Sequence, residues 1–159
     1  MGNDSNNYTK ILFRYYSDVL DEVVVETMWA EIIDEAKGIY KLDSIPFYGP
    51  PIATNDLFLA EYDEDENYLV YKETIEYSGN SIIQVVILKE GFDKEIIRER
   101  LKSIDCLSEG LNEKYFSVEI NENMDYSVVK TLLDEYKNST VIDYAEPCLS
   151  EKHRNDLLK

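Results

Sequence analysis

Histidine is nearly missing from the chain, which has 159 residues and a single imidazole, His153, near its C-terminal end. That residue lies in a polar stretch and is expected in solvent. A His-based catalytic triad and a two-histidine metal site are therefore excluded. Cysteine is limited to Cys106 and Cys148, too few for a disulfide framework, so free thiols in a cytoplasmic protein are the expectation. Neither has a histidine or a basic cluster beside it to stabilise a thiolate. The six glycines and four prolines form no phosphate-binding loop and no nucleophile elbow. Long apolar runs are absent too. Val23-Val24-Val25 and Val85-Val86-Ile87-Leu88 are strand-sized, well short of the roughly 18 residues a transmembrane helix needs. The polar opening, Met1 to Asn7, is not that of a secretory signal. Basic residues number 16 against 33 acidic ones, giving a net charge of −17 and a pI near 4.3. Such a polyanion repels phosphate, which argues against nucleic acid and anionic membranes as partners.

What remains is enough for a folded core: 44% of residues are hydrophobic and 12% aromatic, with 13 tyrosines against five phenylalanines and one tryptophan. Up to about Ser78-Gly79-Asn80 the pattern reads as strands. Ile11 to Tyr16 is the first. In the second, Val23, Val25, Thr27 and Trp29 alternate with Val24, Glu26, Met28 and Ala30, the period-2 signal of a half-buried strand, and Trp29 is expected to anchor the core. Ile39 to Leu42 follows the turn at Lys37-Gly38. A proline-rich loop comes next, and then a hairpin of Asp56–Tyr62 and Tyr68–Tyr77. Short strands with tight turns predict an SH3-like small β-barrel or curved sheet.

Beyond Gly79 the periodicity changes. Ile82 to Leu88 is a strand. Ile96, Ile97, Leu101 and Ile104 follow helical spacing behind Asp93 as N-cap. Cys106–Leu111 and Tyr115–Ile120 read as a strand pair. Val128, Val129, Leu132, Leu133 and Tyr136 mark a second helix capped near Asn123 or Asp125, and Thr140 to Ala145 is a last strand. The order β-α-β-β-α-β predicts a ferredoxin-like half. The expected fold class is thus α+β. A short N-terminal segment, 1–9, is expected to be disordered. It is followed by a strand-rich acidic subdomain, 10–79, a ferredoxin-like subdomain, 80–149, and a polar tail, 150–159, that frays or forms a short helix. Residues 1–79 carry 17 acidic and five basic side chains, against 16 and 11 in the remainder. The negative field belongs mainly to the first half.

The densest charge lies at Glu61, Asp63, Glu64, Asp65 and Glu66. Asp63, Asp65 and Asn67 have the spacing of a calcium loop, but Tyr68 stands where the sharp turn wants glycine, and Thr74 where a bidentate glutamate is needed. No metal and no other cofactor is expected. A solvated hairpin tip is the plain alternative, and a contact surface for a basic protein is the functional one. The loop Ile45-Pro46-Phe47-Tyr48-Gly49-Pro50-Pro51 either displays Phe47 and Tyr48 to a partner or tucks Phe47 under the sheet. The first half is also rich in tyrosine, Tyr68 among them. Tyrosine suits an interface and packs equally well in a sheet. In a chain this acidic no single carboxylate pair signals catalysis, and a non-enzyme is expected.

Four stretches carry a resemblance: Glu26-Thr27-Met28-Trp29-Ala30-Glu31; Tyr40-Lys41-Leu42-Asp43-Ser44-Ile45-Pro46-Phe47-Tyr48 with Asp56 beyond it; Ser78-Gly79-Asn80-Ser81; and Tyr144-Ala145-Glu146-Pro147-Cys148-Leu149. In this order they resemble an uncharacterised bacterial family, a domain of unknown function, over roughly residues 10 to 149. Ser44 and Gln84 stand where that family favours Asn and a basic residue. The resemblance implies no activity and no catalytic residues. By analogy, small acidic bacterial proteins of this kind resemble immunity proteins of toxin loci. The expected function is an acidic binding module that blocks a cognate basic toxin or effector. Its contact residues are Phe47, Tyr48, Glu61, Asp63, Glu64, Asp65, Glu66 and Tyr68. The alternative is a small-molecule-sensing regulatory domain without catalysis.

Overall fold

The alternation in the second strand is real, but its two faces are exchanged relative to expectation. Met28 and Ala30 are buried, while Val23, Val25 and Trp29 are each about half exposed. The reason lies in register. The computed structural model, which describes residues 7–17, 21–48 and 51–158, pairs β1 (Tyr8–Ser17) with β2 (Glu22–Asp34) antiparallel. Ile11 lies opposite Met28 and Phe13 opposite Glu26, so the side of β2 that shares the core with Ile11 and Phe13 is the even-numbered one. Trp29 therefore points outward and is not a core anchor.

The chain divides into two compact units, Met1–Ser78 and Gly79–Lys159. In the first, β1 and β2 close a barrel with β3 (Ile39–Leu42), β4 (Leu57–Asp63) and β5 (Tyr68–Glu76). Neighbours are antiparallel except for the closing pair, in which β1 meets β5 in parallel at Ile11 and Leu12. Gly38 makes the turn into β3 at φ 70°, and its carbonyl accepts the Ala60 N–H. Inside are Ile11, Phe13, Met28, Tyr40, Leu42, Ile52 and Phe58. Phe13 stacks on Tyr71 at 5.1 Å and tilts against Phe58 at 5.4 Å. Each fully buried ring or branched side chain contributes roughly 1.5–3 kcal/mol through removal from water. The far end of the β1–β2 pair, where Tyr16 faces Val23, extends past the ladders to β5 and β3, which cover Ile11–Leu12 and Ala30–Asp34.

The second unit runs β6 (Ser81–Ile87), α1 (Lys94–Ser103), β7 (Leu107–Asn112), β8 (Tyr115–Ile120), α2 (Tyr126–Asn138), β9 (Ile142–Cys148) and α3 (Glu151–Asp156). The sheet order is β7-β8-β6-β9, all antiparallel. The Asp93 side chain accepts the Glu95 N–H and the Asp125 side chain accepts the Ser127 N–H, so each long helix starts at an aspartate cap. Ile97 and Leu101 of α1, and Val129, Leu132 and Leu133 of α2, meet Ile83, Val85, Ile87, Phe116 and Val118 from the sheet. The architecture is mixed α and β with mostly antiparallel sheets. Among the described residues no helix is long and apolar enough to cross a membrane.

Candidate functional site

The acidic turn between β4 and β5 is built by its own first residue. Asp63 Oδ1 accepts the N–H groups of Asp65 and Glu66 at 2.8 and 3.2 Å, and the Asp63 carbonyl accepts the Asn67 N–H at 2.8 Å. Asn67 takes the left-handed position at φ 59°, and its side chain receives the Tyr62 hydroxyl. Asp63 is thus committed to holding the turn. Glu61, Glu64 and Asp65 face solvent, and Tyr68 is 37% exposed. Glu66, half-buried, pairs with the Arg14 guanidinium of β1, and Asp63 adds to the field there. Those carboxylates hold the Arg14 pKa above its ordinary value, with Glu66 the main cause. Among the described residues no group of three or more His, Cys, Asp or Glu side chains is arranged to hold a metal ion.

Phe47 and Tyr48 are placed by Glu26, whose carboxylate accepts their backbone N–H groups at 2.7 and 3.2 Å. Pro46 is buried beside them, and both rings are half-buried. One turn of chain earlier, Ser44 Oγ bridges the Trp29 N–H and carbonyl, and the Asp43 N–H donates to the Trp29 carbonyl at 2.9 Å. The motif of β2 is therefore laced to the Tyr40–Tyr48 motif. Gly49 and Pro50 lie outside the described residues.

Two residues that the sequence left without a structural role organise the remaining motifs. Asp56 is fully buried; its two oxygens accept the Ala53 N–H at 2.9 Å and the Ser78 N–H at 2.8 Å. Burial pushes its pKa up, against the opposing pull of those hydrogen bonds. His153, expected in solvent, is instead fully buried. Its Nδ1 lies 2.6 Å from Ser81 Oγ and 3.0 Å from Ser150 Oγ, and its Nε2 lies 3.0 Å from the Asn121 carbonyl. A neutral ring protonated on Nε2 donates to that carbonyl and accepts from the hydroxyls. Ser81 and His153 are both closed off from solvent, so the pair clamps α3 and offers no nucleophile to a substrate. Only a sequence signal spanning the 72 residues between Ser81 and His153 could have revealed it. Burial likewise pushes the Cys106 thiol up to about 11, which leaves it inert.

Beside α1 lies a cleft of about 310 Å³, lined by Ile87, Phe92 and an even mixture of lysines and carboxylates. Lys94 pairs with Glu95 and Lys114 with Glu90 at its rim. It favours neither sign of ligand.

The structure thus brings Glu66 and Asp63 beside Arg14 of the exposed β1–β2 face, while Phe47 and Tyr48 belong to a loop anchored at Glu26. Sequence reasoning missed that face because it assigned Trp29 inward.

Among curated proteins none matches the chain. Among solved structures, a crystal structure of a hypothetical protein from Neisseria gonorrhoeae is similar, with a TM-score of 0.76 and 25% identity. The similarity covers 89% of this chain and 95% of that one. Residues 26–144 match the family described as Domain of unknown function (DUF4265), and this span takes in the laced motifs of β2, the Tyr40–Tyr48 loop, Asp56 and Ser78. The chain belongs to that family.

Proposed function

We propose that this protein is a non-catalytic binding module for a basic protein, in the manner of an immunity protein that blocks a cognate toxin or effector. The observation that carries the reading is the unequal charge: residues 1–79 hold 17 acidic against five basic side chains, on the unit that also exposes Tyr16, Val23, Val25, Trp29 and Tyr62. Carboxylates steer a cationic partner inward and raise its association rate, and exposed aromatic and aliphatic side chains then supply contact area. Blocking is steric and electrostatic. The proposal includes an SH3-like description of the β1–β5 barrel and a ferredoxin-like one of the second unit. The parallel closure of the first and the β7-β8-β6-β9 order of the second support these. A cytoplasmic location goes with this reading, and the free thiols of Cys106 and Cys148 support it.

The test mixes the purified chain with the purified basic product of a gene adjacent to its own and follows binding calorimetrically as salt is raised. Tight association that weakens steeply with salt supports the reading. Absence of binding, or turnover of a substrate by the isolated chain, contradicts it.

A further inference from the structure

The outer face of the β1–β2 pair combines three features. Its register sets Tyr16 against Val23, Arg14 against Val25 and Lys10 against Trp29, so these side chains share one face. Tyr16, Val23, Val25 and Trp29 are each 50–58% exposed, an apolar strip outside the barrel core. Arg14 joins the strip to the acidic turn, since its guanidinium is bound by Glu66 with Asp63 close by. The two cations on the strip are already engaged: Arg14 with Glu66, and Lys10 over the Trp29 ring at 5.3 Å. Asp21 accepts the Tyr16 hydroxyl, and what the rim still offers is negative, from Glu22 at one end and Glu64 and Asp65 on the turn, all exposed. An apolar centre edged with uncommitted carboxylates is the anatomy of an interface for a partner with apolar anchors and a lysine- or arginine-rich rim.

Resting on the binding reading above, we propose that this face, and not the Phe47–Tyr48 loop, docks the basic protein partner. A second copy of the chain fits the face poorly, because it would bring two net charges of −17 together. Phe47 and Tyr48 are poor anchors by comparison, since their backbone is held by Glu26 and their rings are half-buried.

The test uses the full chain in the cells that make it, with photoreactive benzoylphenylalanine introduced in place of Tyr16 or Val25. Controls carry it in place of Ile96 or Val128, apolar residues exposed on α1 and α2. The adduct is identified by mass spectrometry, and binding of the purified partner is then measured. The expected result is one adduct from the Tyr16 and Val25 positions only, with a protein of net positive charge. Its affinity falls at least tenfold with Val25→Ser and Trp29→Ser together. With Glu64→Lys and Asp65→Lys its association slows about tenfold at low salt. Those four residues are exposed, so folding, checked by circular dichroism, is retained. A basic partner crosslinked only from Ile96 or Val128 overturns this surface and leaves the binding reading standing. A second copy of the chain as the adduct overturns the surface assignment to a basic protein. No adduct from any position, or an acidic partner, overturns both.

Discussion

The Glu26 carboxylate receives the backbone N–H of Phe47 at 2.7 Å, from a residue 21 positions further along the chain. With the second bond to Tyr48 at 3.2 Å, one side chain of β2 fixes the entry to the proline-rich loop. Charge-assisted bonds of this kind contribute about 1.5–3 kcal/mol. Glu26→Ala is expected to lower stability by about that amount and to speed amide exchange at Phe47 and Tyr48. Equal exchange in both proteins would show that the loop is held by something else.

His153 makes stability depend on pH in a definite direction. Burial holds its pKa below the usual 6.5, with Lys152 adding to that and Asp156 opposing it. Tyr126 of α2 packs against the ring at 5.9 Å, with its own hydroxyl on Glu146. Because the unfolded chain binds this proton more readily, the contribution is present above about pH 6.5 and is lost as pH falls through the folded value. Urea midpoints of the wild type should fall from pH 7.5 toward pH 5 more steeply than those of His153→Gln. His153→Ala should cost about 2–4 kcal/mol at neutral pH, from the lost packing and the lost hydrogen bonds to the Ser81 hydroxyl and the Asn121 carbonyl.

Asp56 works in the opposite sense. Burial raises its folded pKa above the ordinary 3.8, so its contribution is largest in acid and fades as the pH rises through the folded value. Asp56→Asn retains one acceptor and turns an NH₂ toward the second N–H, at a cost of about 1–3 kcal/mol at neutral pH. The stability gap between the two proteins should widen on acidification toward pH 4. A gap that closes would reverse the assigned direction.

Gly38 is held at φ 70°, and a Cβ there would meet the Ala60 carbonyl oxygen at 2.9 Å, which is backbone and has little room to move. Gly38→Ala should therefore lose more than about 1 kcal/mol, as residues forced into the left-handed region do. Gly91, at φ 78° with nothing within 4 Å of its Cβ position, gives the control: it shares the backbone cost without the clash. Thermal melts of both variants measure the difference.

The two long helices were legible because both of their signals are local: apolar spacing, and a cap at Asp93 and at one of Asn123 and Asp125, of which the structure uses Asp125. The strands of the barrel were legible in place for the same reason. Their orientation was not. Alternation in β2 defines two faces without saying which is inside, and that choice was made by β1, whose Ile11 and Phe13 face the core from opposite Met28 and Glu26. The hydrophobicity of Val23, Val25 and Trp29 pointed the wrong way, because an exposed face can be as apolar as a buried one. His153 was misread for a related reason. Its partners Ser81 and Asn121 lie 72 and 32 residues away, and nothing in a short polar stretch announces that a strand and a turn will enclose it. Within the expected contact set, the sequence grouped Glu61 to Glu66 by proximity. The fold separates them into Asp63, which holds the turn, Glu66, which holds Arg14, and Glu61, Glu64 and Asp65, which face solvent.

The most direct measurement is a hydrogen-exchange footprint of the chain, free and saturated with the basic protein captured through Val25. Protection of Glu22–Trp29 and of the Asp63–Tyr68 turn, with exchange in α1 and α2 unchanged, is what the docking account predicts. Protection confined to the helices, or to Phe47 and Tyr48, would contradict it.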